Sequence, residues 1–191
     1  STGGKSPTAK NLALAIMKSR NGDGEIKLYD PQHGSKKDYW NMPKAGTSHE
    51  DNLQGMQDLC SLIDSRRHGS NHKFVLYVFD EVDNTVTTLK EGYKFKDLIK
   101  VTLKEGSHAN TGAIYIGQSC DVTEVPGMTH SNWNNAVQFH IGSNAGLFIE
   151  RLSTITTEEK TRLLEQYRKI QEYCDSKNQE LGLDVFTDAA A

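Results

Sequence analysis

The stretch Phe74-Val75-Leu76-Tyr77-Val78-Phe79-Asp80-Glu81 constrains the fold of this chain more than any other. Six consecutive apolar or aromatic residues, rich in Val and Phe, read as a strand buried on both faces. The two carboxylates that follow are expensive to desolvate. They therefore belong at the carboxyl edge of the sheet, where open α/β sheets bind ligands. At such an edge Asp80 can hold a magnesium ion and Glu81 can activate a water molecule. The plainer reading is a core strand that ends in two solvated acids.

A second stretch bears on that choice. The chain opens with Ser1-Thr2-Gly3-Gly4-Lys5-Ser6, and Gly4-Lys5-Ser6 matches the last three positions of the phosphate-binding loop G-x-x-x-x-G-K-[ST]. Glycines such as Gly3 and Gly4 let backbone N–H groups approach phosphate oxygens, Lys5 reaches the outer phosphates, and the Ser6 hydroxyl ligates magnesium. The alternative is a flexible Gly/Ser terminus that matches by accident. The context favours the motif. Pro7 suits a first helical turn, and Leu12, Ala13, Ile16 and Met17 recur at helical spacing as far as Arg20. Asn21-Gly22-Asp23-Gly24 then ends the helix, so a glycine loop leads straight into it.

Residues 25–31 alternate as a partly exposed strand near a sheet edge, and its loop carries Asp30 and His33, either near a ligand or simply in a turn. Leu53, Met56, Leu59, Cys60 and Ile63 predict a helix over 50–66. Arg66 at its end either complements the helix dipole or reaches a neighbouring subunit's phosphate as an arginine finger. A loop is expected over 82–88, and a helix over 92–104 with Phe95, Leu98, Ile99 and Leu103 inward. Residues 111–119 read as another buried strand. Its terminal Gln118 either caps a loop or orients the attacking water and senses the outer phosphate. A long loop is expected over 121–135, a further strand over 136–142, and a charged helix over 156–181 that opens with capping-box chemistry at Thr156 and Glu159. Helices alternating with strands in this way predict a parallel sheet.

The formal net charge of −3 argues against a strongly basic surface, though not against a local basic patch. Cys60, Cys120 and Cys174 match no metal spacing, and an odd unpatterned count fits a reducing, cytoplasmic compartment. No apolar run approaches the length of a membrane span and no signal peptide is read. The terminal Ala189-Ala190-Ala191 reads as a cloning scar.

Taken together, GKS followed by a helix, IKLYDPQHGS, VLYVFDE, and KEGSHANTGAIYIGQS resemble the FtsK/HerA division of P-loop ATPases, over roughly residues 1–150. That division includes DNA translocases and conjugative coupling proteins. The resemblance implies a RecA-like three-layer α/β sandwich with a mostly parallel central sheet, which couples ATP hydrolysis to movement along DNA, usually as a hexameric ring. Carried over by position, Lys5 binds phosphate, Ser6 and Asp80 hold magnesium, Glu81 is the general base and Gln118 the sensor. The phosphate loop's first glycine and the strand before it fall outside the sequence, as in an excised fragment. Ser107 stands where relatives commonly carry a basic residue. The expected organisation is an ATPase core over 1–155, a carboxyl-terminal helix over 156–186 and a tail over 187–191. The competing expectation is a non-catalytic nucleotide-binding or adaptor module of a larger DNA-handling assembly.

Overall fold

The computed structural model describes residues 4–35, 40–69, 71–119 and 125–182. Among them, β1 (Glu25–Tyr29), β2 (Val75–Phe79) and β3 (Thr111–Tyr115) form an open parallel sheet in the order β1-β2-β3. The apolar run became the central strand, and all five of its residues are buried. The register places Tyr29, Phe79 and Tyr115 side by side, so the carboxyl ends of the strands are level. β1 is an edge strand, as its alternation predicts, with one isolated bridge from Tyr29 to Gly46 at its end.

Helices cover both faces, because successive side chains of a strand point to opposite sides and both sets here are apolar. Helix α1 (Lys5–Ser19) lies on one face, where Ala9 and Ala13 join Leu28, Phe74, Leu76, Val78, Ile116 and Trp40 in one cluster. The opposite face carries α2 (His49–Ser65), α3 (Val82–Leu89) and α4 (Gly92–Glu105). Met56, Leu59 and Ile63 of α2, Val82 and Val86 of α3, and Phe95 and Ile99 of α4 pack there against Tyr29, Val75, Tyr77 and Phe79. Parallel neighbours need such crossovers, since a tight turn cannot join them. The segment that opens α2 is fixed by a capping box between Ser48 and Asp51. Further along, α2 comes so near the sheet that a Cβ on Gly55 would lie 2.4 Å from the Tyr29 ring.

Aromatic rings tile the carboxyl half of this face. The Phe79 ring stacks with Tyr29 at 5.1 Å, Tyr77 at 5.9 Å and Tyr115 at 5.6 Å between centroids. Burial pushes the Tyr29 phenol up to about 12, with Tyr77 adding to the effect, and burial also raises Tyr115. Neither ring therefore contributes charge at neutral pH.

Four expectations are corrected. Residues 82–88 are helical, as α3, instead of a loop. Val82, Val86 and Leu89 supply the spacing, but the polar Asp83, Asn84, Thr85, Thr87 and Thr88 obscure it. Residues 136–142 are irregular instead of a strand, with Val137 82% and Phe139 58% exposed and no partner strand among the described residues. β3 also stops at Tyr115, short of the span expected to 119. Within the expected 121–135 loop a short helix, α5 (His130–Trp133), forms after the cap residue Thr129. Residues 121–124 and the tail at 187–191 lie outside the described residues.

The chain divides into two compact units, Ser6–Val137 and Gln138–Ala191 with Ser1–Lys5. The division falls ahead of the boundary at 155 read from the sequence. The second unit pairs α6 (Ser143–Arg151) with α7 (Thr157–Glu180). Gly146 sits against the Tyr167 ring, and the capping box from Thr156 to Glu159 is formed as expected. No helix among the described residues is long and apolar enough to cross a membrane.

Candidate active site at the carboxyl edge of the sheet

Both acids of the central stretch emerge where β2 ends. Asp80 is 4% exposed, yet each carboxylate oxygen is satisfied. Its Oδ1 accepts the Glu81 N–H at 2.9 Å. Its Oδ2 accepts the Ser6 hydroxyl at 2.8 Å and the Trp40 indole N–H at 2.7 Å. The Ser6 bond joins residues 74 apart in sequence and brings the serine of GKS to the acid pair. Gly4 stands before α1 with a positive φ of 66°, a conformation open to glycine, and Lys5 is the first residue of the helix. Gly3 lies outside the described residues.

Glu81 is held differently. Its φ of 55° puts a non-glycine residue in the left-handed region, at a cost of about 1–3 kcal/mol that surrounding structure must offset. Its carboxylate accepts the Gln118 side-chain amide at 3.0 Å and the Asn84 amide at 2.8 Å. The Gln118 and Ser119 backbone N–H groups donate to Asp83 Oδ2, at 2.6 and 3.3 Å, so Asp83 anchors the segment that carries Gln118. Beneath the pair, Asn52 Nδ2 donates to the Asp80 carbonyl at 2.8 Å. Asp30 is buried at the end of β1, where Oδ1 accepts the Gln32 N–H at 2.9 Å, while the His33 N–H bonds the Asp30 carbonyl. The turn reading of this loop is thus formed, and Asp30 sits beside Asp80 at the same edge.

The edge therefore concentrates Asp30, Asp80, Glu81 and Asp83, while the side chains that satisfy Asp80 and Glu81 are the neutral Ser6, Trp40, Asn84 and Gln118. A Ser hydroxyl and an Asp carboxylate in contact are hard oxygen donors of the type magnesium takes. Among the described residues no group of three or more His, Cys, Asp or Glu could hold a metal by itself. Magnesium does not require one, because it is typically held by one or two protein oxygens plus substrate phosphates and water. The residues present fit the ion.

Arg66 is placed elsewhere. Its Nη1 donates to the carbonyls of Lys73 and Ala109, at 3.0 and 3.2 Å, just ahead of β2 and β3. The acids lie at the other end of β2, whose five residues span about 16 Å. The structure thus gives Arg66 the task of tying α2 to the amino edge of the sheet, and does not bring it to the acids. Arg66→Ala should lower the unfolding free energy by about 1–2 kcal/mol, a charge-assisted value discounted for partial exposure. Urea titration reads that change, and nucleotide turnover within twofold of the parent would remove the arginine-finger role.

Sequence reasoning missed Trp40, Asn52, Asp83, Asn84 and Thr85. Trp40 falls in a segment that reads as irregular, Asn52 looks like an ordinary helix-surface polar residue, and Asp83, Asn84 and Thr85 fall in a stretch that reads as a loop. Cys60 is not a nucleophile candidate: burial raises its thiol pKa, and it donates to the Leu98 carbonyl. No family model matches this chain, and neither a curated protein nor a solved structure does.

Proposed function

We propose that this chain is the core of an ATP-hydrolysing motor of the FtsK/HerA kind, with a RecA-like architecture, acting on DNA as a homo-oligomer. The observation that carries the reading is the hydrogen bond from Ser6 to Asp80. It joins a GKS-to-helix stretch to the first of two acids at a parallel sheet's carboxyl edge. Accidental matches of either motif would have no reason to meet.

In this reading Gly3, Gly4 and Lys5 bind the phosphates, the glycines through backbone N–H groups and Lys5 through its ammonium. Ser6 and Asp80 hold magnesium, which when bound neutralises charge on the phosphate oxygens. Glu81 accepts the proton of the attacking water, and the Gln118 amide, already on the Glu81 carboxylate, orients that water and responds to the outer phosphate. Within one chain Arg66 stands apart from this site, its guanidinium donating to carbonyls at the opposite edge, and its reach to a neighbouring subunit's phosphate is a separate proposal.

The test is release of inorganic phosphate from ATP, with and without magnesium and with and without duplex DNA. Turnover that requires magnesium and rises several-fold with DNA is expected. Nucleotide binding without turnover would instead assign a non-catalytic, nucleotide-dependent adaptor. Absence of both binding and turnover would remove the ATPase reading.

A further inference from the structure

The left-handed backbone at Glu81 needs something to hold it, and a buried polar network lies directly beneath. Thr85 is 0% exposed, and its hydroxyl has three partners: the Glu81 carbonyl at 2.9 Å, Asn52 Nδ2 at 2.8 Å and His49 Nδ1 at 2.8 Å. A hydroxyl has one hydrogen and two lone pairs. The Glu81 carbonyl can only accept, so it takes the hydrogen. Asn52 Nδ2 donates to one lone pair. His49 Nδ1 must then donate to the other, which fixes a hydrogen on that nitrogen.

The orientation of the Asn52 amide follows the same logic. Asn52 is 0% exposed and its Oδ1 has no hydrogen-bond partner. Turning the amide over would place that oxygen against the Asp80 carbonyl, acceptor on acceptor. The side chain leaves an acceptor unsatisfied and keeps both donors engaged, on the Asp80 carbonyl and on Thr85. Asn52 and Thr85 thus grip consecutive carbonyls, those of Asp80 and Glu81. The Glu81 carbonyl also accepts the Thr85 N–H at 2.8 Å, and the N–H of the same peptide, that of Val82, donates to the Ile116 carbonyl at 2.9 Å. The network spans α2, β2 and α3, and its common target is the peptide geometry at the acid pair.

We propose that Thr85, oriented by Asn52 and His49, is a positioning residue that locks the Glu81 backbone in its left-handed state and so aims the Glu81 carboxylate at Gln118. The proposal rests on the ATPase reading for its kinetic consequence, but not for its structural one. Thr85→Val keeps the shape and removes the hydroxyl, and Thr85→Ser keeps the hydroxyl.

Two readouts are needed. Hydrogen exchange of the Glu81 amide, followed by NMR without nucleotide, should be at least tenfold faster in Thr85→Val, and Thr85→Ser should restore protection. In parallel, kcat for ATP should fall about tenfold in Thr85→Val with KM within twofold, again restored by Thr85→Ser. Unchanged Glu81 exchange in folded Thr85→Val overturns the proposal whatever the kinetics do. Faster exchange in Thr85→Val, with a parent that does not hydrolyse ATP, upholds the positioning and sinks the ATPase reading. If Thr85→Val fails to fold, His49→Ala, which removes the half-buried outer donor, takes its place. Exchange about threefold faster is expected, and no change overturns the proposal.

Discussion

Glu81→Gln should lower ATP turnover by at least 100-fold while leaving nucleotide affinity within about threefold, because a positioned general base typically contributes a factor of 10² to 10⁴. The amide keeps the shape of the carboxylate and can still meet Asn84 and Gln118, but it cannot take a proton from water. The left-handed backbone is set by main-chain and Thr85 contacts, so the substitution should leave it in place. Phosphate release and equilibrium binding of a fluorescent ATP analogue separate the two effects. Turnover equal to that of the parent would remove Glu81 from the base position. Weakened binding with unchanged turnover at saturation would assign it to the ligand contact instead.

Phe79→Ala should destabilise the Ser6–Val137 unit by about 3–5 kcal/mol, the range for truncating a buried aromatic in a core that cannot collapse around the gap. Phe79 is 0% exposed and its ring touches three others, so the loss includes stacking as well as burial. It also stands immediately before Asp80, so softening of the row beneath should be felt at the acids. Chemical denaturation followed by far-ultraviolet circular dichroism measures the first effect. A midpoint shift equivalent to less than 1 kcal/mol would show that neighbouring rings refill the space.

Much of this arrangement can be seen in the residues themselves. A continuous apolar run can be only a fully buried element, and β2 is one. Acids after such a run must reach an edge, and Asp80 and Glu81 do. Helical periodicity placed α1, α2, α4 and α7 within a residue or two of their ends. What was hidden had two causes. In α3 five polar residues of low helix preference overlay an apolar spacing of four and three, and only packing against the sheet decides the outcome. Over 136–142 alternation mimicked a strand, but alternation says nothing of whether a partner strand exists. The supporting residues of the site were hidden for a third reason. Asn52 bonds a carbonyl 28 positions away and Trp40 a carboxylate 40 positions away, and local spacing cannot predict either. Arg66 shows the converse. Its place at a helix end was visible, but its two carbonyl partners exist only once the strands are assembled.

The close approach of α2 at Gly55 has a consequence that reaches the acids. With 2.4 Å between a hypothetical methyl carbon and the Tyr29 ring, even alanine must push the helix outward or swing the ring aside. Asn52, one turn earlier on the same rigid rod, would ride with it and be drawn off the Asp80 carbonyl. Positions 29 and 55 thus divide a single volume between them, and a hydrogen atom in place of a side chain sets the height at which the support under the acid pair is suspended.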